Sequence, residues 1–143
     1  MQVLVVGAGV VGCAVAYELA ARGADVQMLD ARRSGEGASQ AAAGILAPHI
    51  EGHSPALLQL GVRSLDLYDA FIERVSRDSG LPIDYRRIGT LEVALNEEQA
   101  RCLRTTAEKH NATNVDHQYL EASAARALEP GLAPTATGAL LIA

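Results

Sequence analysis

With 143 residues, the chain is long enough for one domain with a core but short for a complete dinucleotide enzyme, which ordinarily adds a substrate domain. Its net charge is −5, and its 12 Lys and Arg against 17 Asp and Glu form no basic stripe; this argues against nucleic acid and anionic membrane as partners and leaves small molecules. No apolar run approaches the roughly 18 residues of a membrane span, and Met1 leads into a strand instead of a charged leader, so a cytoplasmic chain is expected.

The first predicted element is the apolar strand Val3–Val6, which runs into Gly7-Ala8-Gly9-Val10-Val11-Gly12. An amphipathic helix over residues 14–20 follows, then a second strand closed by Asp30. This is the pattern of a dinucleotide-binding βαβ unit. Gly7 permits the tight turn off the strand, Gly9 lets the backbone approach a pyrophosphate, and Gly12 lets the helix pack on the sheet. The free N–H groups opening the helix favour negative charge by about 0.3–1 kcal/mol at an exposed end. Asp30 is placed to accept hydrogen bonds from a ribose. Cys13 in the binding helix and Cys102 on a later helix form no CxxC or zinc spacing and read as structural, Cys13 as a small residue packed under the nucleotide.

Residues 31–48 are dense in small side chains and end at Pro48. A flexible linker would be polar and Gly/Ser-rich. Here Ala41-Ala42-Ala43 can form a short helix whose small residues let the backbone approach a flat ligand, although an alanine-rich helix packed on the sheet is an equal reading. Ser54 and Pro55 then open a helix running to about Ser79, with Leu58, Val62, Leu65, Tyr68, Ile72 and Val75 along one face. Gly61 weakens its first turns, and Gly80-Leu81-Pro82 stops it. Ile83–Tyr85 and Thr90–Leu95 read as strand, the latter with Leu91, Val93 and Leu95 alternating against Glu92 and Ala94. Asn96 caps a helix over 97–110, with Gln99 in the manner of a capping box. A short helix Ala122–Leu128 ends before Pro130-Gly131, and Gly138–Ala143 is an apolar strand. Only two strands read as parallel, so the doubly wound sheet is incomplete.

Several isolated groups carry competing readings. His49, Glu51 and His53 suggest a metal site, but Pro48, Gly52 and Pro55 oppose the helix that would align the imidazoles, and a solvated loop or one near a substrate fits better. Arg32 and Arg33 would suit a 2′-phosphate, which Asp30 would repel; solvated charges or an adenine-stacking Arg are preferred. His110 and His117 stand alone and are expected at the surface, while Tyr68, Tyr85 and Tyr119 are expected half-buried in packing.

The stretches GAGVVGCAVAYELAARG, GASQAAAGILAP and YRRIGTLEVAL, with the acidic strand end between them, resemble the N-terminal part of the FAD-dependent amino-acid oxidase (D-amino-acid oxidase) family, and most closely its glycine-oxidising branch tied to thiamine biosynthesis. The resemblance spans the whole chain. It implies a glutathione-reductase-like, Rossmann-like α/β fold, in which an FAD-binding segment over residues 1–80 is followed by the beginning of an α+β substrate-binding domain over 81–143. It also implies that Gly7, Gly9, Val11 and Gly12 contact the FAD pyrophosphate, and that Asp30 and Ala31 contact the adenosine. Ser39 and Gln40 would approach the phosphates, with Ala43, Gly44 and Ile45 along the ribityl chain and isoalloxazine. Relatives often have Glu where this chain has Asp30, which keeps the acceptor with a shorter reach.

The activity so implied is oxidation of glycine or another small amino acid or amine to the imine, oxygen becoming hydrogen peroxide. No side chain of the segment reads as a catalytic acid or base, and the substrate carboxylate clamp is expected beyond residue 143. The chain therefore reads as a truncated part of a flavin oxidase, inactive alone and paired with further protein or oligomeric. Two other classes stay open: an NAD-dependent dehydrogenase, favoured only by the glycine motif, and a non-catalytic subunit of a heteromeric oxidase.

Overall fold

The computed structural model describes residues 1–50, 54–113 and 115–143. They form two compact units, Met1–Ile45 and Leu46–Ala143.

In the first unit, β1 (Gln2–Val6) and β2 (Asp25–Leu29) pair in parallel, Gln2 opposite Asp25 and Val6 opposite Leu29. The connecting helix α1 (Val10–Ala21) is the crossover that a parallel pair requires. It packs on one sheet face, where Val3, Val5 and Val26 are half-buried, whereas Leu4, Val6, Met28 and Leu29 are exposed. The helix differs from the expected amphipathic pattern. In VVGCAVAYELAA only Glu18 is charged, so the helix is apolar nearly all round, as in a helix meant to be covered on more than one side. The short helix α2 (Ala38–Ala41) starts three residues before the alanine run that was expected to form it. Its N-cap, Gly37, has φ 105°, and Ala42 is already extended, so Ala43 lies beyond the helix.

The second unit opens with α3 (Pro55–Ser79), which has the expected bounds: Pro55 takes the first helical position, where its missing N–H costs nothing, and Gly80 ends the helix in the left-handed conformation. All six residues of the expected apolar face are half-buried and none is fully buried. Ile83–Tyr85 is not a strand. Pro82 lacks a donor, and the segment lies instead against α3, with Tyr85 6.0 Å from the Tyr68 ring and Arg87 bonded to Asp69 at 2.8 Å.

Three antiparallel strands follow in the order β3-β5-β4: β3 (Thr90–Ala94), β4 (His117–Glu121) and β5 (Gly138–Ile142). Helix α4 (Glu97–Thr113) packs with Ala100, Leu103 and Ala107 against Ala94, Leu140 and Ile142. Helix α5 (Ala122–Leu128) buries Ala125 with Leu120 and Ala139, beside Leu91, Val93 and Leu141. The two sets alternate along β5, so this sheet is covered on both faces. That corrects the half-exposed reading of β3: Ala94, assigned to the polar side, is fully buried, while Leu95 is exposed. The Asn96 cap holds. Its Oδ1 accepts the Gln99 N–H at 2.9 Å, and the Gln99 side chain returns to the Leu95 N–H at 2.7 Å.

Candidate functional site

The glycine-rich turn between β1 and α1 is built from backbone. Gly7 has φ 104°, a region closed to most residues, and donates its N–H to the Leu29 carbonyl at 2.8 Å, fastening the turn to the end of β2. A Cβ on Gly12 would fall on the Gly7 carbonyl oxygen and come within 3.6 Å of Val5, so helix and strand approach closely only because that side chain is missing. At Gly9 a Cβ would meet the Ser39 hydroxyl at 3.1 Å, tighter than ordinary contact.

The N-terminus of α1 is open to an anion. Helix geometry leaves the N–H groups of Val10, Val11 and Gly12 without intrahelical acceptors; the first such bond is donated by Cys13 to the Gly9 carbonyl at 2.9 Å. Ser39 Oγ accepts the Val10 N–H at 2.9 Å. No acidic residue occupies the first turn, so nothing there repels a phosphate.

Asp30 does something the sequence pattern did not disclose. Its carboxylate accepts the Ala8 N–H at 2.7 Å and the Arg32 N–H at 2.8 Å, stitching the glycine turn to the chain leaving β2. These bonds, the one from Ala8 foremost, hold its pKa below the ordinary carboxylate value although the group is exposed. The carboxylate therefore stays ionised. Gly35 reinforces the same turn by donating to the Ala8 carbonyl at 2.7 Å. Arg32 and Arg33 are exposed, with the Arg32 guanidinium folded beside Gly37.

Gly7, Gly9, Val11, Gly12, Asp30 and Ser39 thus gather around one helix end in the first unit. Ala31 and Gln40 are exposed beside it in sequence, and Ala43, Gly44 and Ile45 form an exposed stretch closing the unit, with Gly44 at φ 74°. Cys13 is an exposed free thiol that contacts the Ala8 carbonyl at 3.5 Å; Cys102 is likewise free and exposed.

Outside this turn, the described residues contain no group of three or more His, Cys, Asp or Glu able to hold a metal. His49 is half-buried in the second unit, and the expectations for Glu51 and His53 lie outside the described residues. His110 and His117 are neither solitary nor at the surface. Both are half-buried with ring centroids 5.5 Å apart, and His110 also meets His49 edge-on at 5.9 Å. His49 lies 61 residues before His110, and His110 and His117 lie on different elements, so no local signal announces that the three imidazoles meet. Tyr68, Tyr85 and Tyr119 are half-buried packing residues, Tyr119 lying under the Arg104 guanidinium at 4.7 Å.

The family profile described as FAD dependent oxidoreductase (DAO) matches residues 2–143. The glycine oxidase of Geobacillus kaustophilus is 34% identical over 143 residues, covering 99% of this chain and 38% of that protein. The bifunctional protein ThiO/ThiG of Synechocystis sp. is 28% identical over 139 residues, covering 96% of this chain and 20% of that protein. Crystal structures of glycine oxidases from G. kaustophilus and Bacillus cereus match with TM-scores of 0.90 and 0.89 at 33% and 28% identity. They cover 97% and 98% of this chain and 38% of theirs, so the chain spans about two fifths of the length of these glycine oxidases. The family's cofactor is FAD, which decides between the flavin and nicotinamide readings that the glycine motif alone leaves open. With a family match over nearly all of its length and a mixed α/β fold shared with glycine oxidases, this chain belongs to the FAD dependent oxidoreductase (DAO) family.

Proposed function

We propose that this chain is the FAD-binding part of an oxidase acting on glycine or another small amino acid or amine. The observation that carries the reading is the α1 N-terminus, where the Val11 and Gly12 N–H groups are free, no acid stands in the first turn, and Asp30 and Ser39 flank the helix end. Gly7, Gly9, Val11 and Gly12 would hold the pyrophosphate, Asp30 and Ala31 the adenosine, Ser39 and Gln40 the phosphates, and Ala43, Gly44 and Ile45 the ribityl and ring portion. Residues 1–80 would serve the cofactor, and residues 81–143 would begin the substrate-binding domain.

Flavin, when bound, supplies the hydride acceptor for oxidation at the substrate Cα and the route by which oxygen becomes hydrogen peroxide. The chain's own contribution is orientation and charge. Ionised Asp30 favours ribose hydroxyls over a 2′-phosphate, which it repels, and the helix end offsets part of the pyrophosphate charge. A cytoplasmic location belongs to this reading, in keeping with two unpaired cysteines.

The test is flavin retention in Gly9→Val. A side chain at Gly9 displaces Ser39 from the Val10 N–H and fills the approach to the helix end. Affinity for FAD is expected to fall at least tenfold, or about 1.4 kcal/mol, while the helical circular dichroism stays. Unchanged flavin content would overturn the site. A peroxide-coupled assay of the full oxidase with glycine, sarcosine and D-alanine tests the substrate class, and bound FAD without turnover on any of them would favour a non-catalytic subunit.

A further inference from the structure

The second unit brings together three of the chain's four histidines from three separate places: His49 from the turn Ala47–Ile50, His110 from α4 and His117 from β4. His110 is the middle ring, 5.9 Å from His49 and 5.5 Å from His117. Its Nε2 is shut off from solvent and has no hydrogen-bond partner, so a proton arriving there finds no acceptor among the described residues. His117 donates through Nδ1 to the Val115 carbonyl at 2.7 Å, which fixes that ring's orientation. The turn is closed by the Ile50 N–H on the Ala47 carbonyl at 3.2 Å, and Ile50 packs with Val115 and Tyr119 on the α4 core cluster.

We propose that these three imidazoles form a proton-sensitive clasp that holds the Ala47–Ile50 turn against α4 and β4 when neutral and releases it when protonated. The charges around His110 support that sign. From the turn it faces His49, and from β4 it faces His117, with the Tyr119 phenol further along the same strand. Strand β5 carries no ionisable side chain. On α4 itself Glu108 and Lys109 precede it in sequence, yet only the two imidazoles act on its charge, and no described carboxylate compensates them. Burial first, then His117 and His49, push the His110 pKa down. Its folded pKa lies below its unfolded one, so the stabilising contribution is complete above about pH 6.5 and is lost as pH falls through the folded value. One residue, Leu46, separates the turn from Ala43–Ile45 in sequence. The existence of the clasp does not depend on the assignment of Ala43–Ile45 to the flavin.

The experiment is a titration of the histidine Cε1–H signals and backbone amides of the 143-residue chain by NMR between pH 4.5 and 8.5, without flavin. The result expected is that His110 protonates at lower pH than a free imidazole and that the amides of 47–50 change with the same midpoint. In His110→Phe, which keeps a ring but takes no proton, those amides should lose the change at the His110 midpoint. If that variant fails to fold, His49→Gln decides, because removing one neighbouring charge should raise the His110 midpoint. His110 titrating at the ordinary imidazole value, amides of 47–50 that ignore the His110 midpoint, or an unmoved midpoint in His49→Gln would each overturn the clasp. Loss of flavin binding leaves these signals unchanged, so failure of the cofactor site and failure of the clasp are distinguishable.

Discussion

Asp30 holds two positions at once: its carboxylate closes the glycine turn through the Ala8 and Arg32 N–H groups, and it remains the proposed ribose acceptor. A carboxylate has about four lone-pair sites, so two backbone bonds leave room for a ligand hydroxyl. Because those bonds favour the ionised form, the folded pKa is depressed below the unfolded one. The stabilisation is therefore present above about pH 4 and lost as pH falls through the folded value. Asp30→Asn keeps one acceptor oxygen but no charge. Its urea midpoint is expected to lie below that of the parent chain at pH 6, with the difference shrinking as pH falls from 4 towards 2. A difference independent of pH would show that the carboxylate's charge does not hold the turn. The strand-end acid was legible in the sequence because the βαβ pattern reserves that place for an acceptor. Its bond to Ala8 was not, since the register that sets β2 beside β1 is a property of the folded pair.

At the scale of elements, helix ends were the most readable features. Pro55, Gly80, Asn96 and Gln99 act through their own backbone or through bonds a few residues long, so local sequence decides them. Asn96→Ala removes the acceptor of the Gln99 N–H and should destabilise the second unit by about 1 kcal/mol, read as a lowered denaturant midpoint with an unchanged slope. Asn96→Asp should restore most of it, and an alanine variant as stable as the parent would show that α4 is held by its packing alone. Strand β4 was missed for a contrasting reason. In HQYLE, Tyr119 packs towards the α4 side and Leu120 towards α5, so a sheet covered on both faces erases the alternation by which a strand is recognised. The His110–His117 contact was hidden in the same way, since pairing of β4 with β5 and packing of α4 bring those two rings together.

Across the whole molecule, the first unit carries apolar surface that nothing in the described residues covers. Val6 is 80% exposed and Val11 74%, and β1 and β2 form a sheet of two strands, a size that is marginal alone in water. The second unit is better closed, around Leu140, Ala139 and Ile142, yet Leu57, Leu60 and Leu67 are exposed on α3. Surface of this kind favours association with more protein. The proposed cofactor site consists of backbone N–H groups, one carboxylate and one hydroxyl, all of them assigned to binding and orienting the nucleotide. Correct positioning alone can lower a barrier by about 7–11 kcal/mol, and the chain spans only 38% of the glycine oxidases it matches. The purified 143-residue chain, supplied with FAD, is therefore expected to give no peroxide above background with glycine, sarcosine or D-alanine, and to elute from a sizing column larger than a 15.0 kDa monomer. Turnover at ordinary oxidase rates by a monomer would overturn both expectations, since it would require a substrate site and an apolar surface arranged otherwise than the exposed faces of β1, β2 and α1 allow.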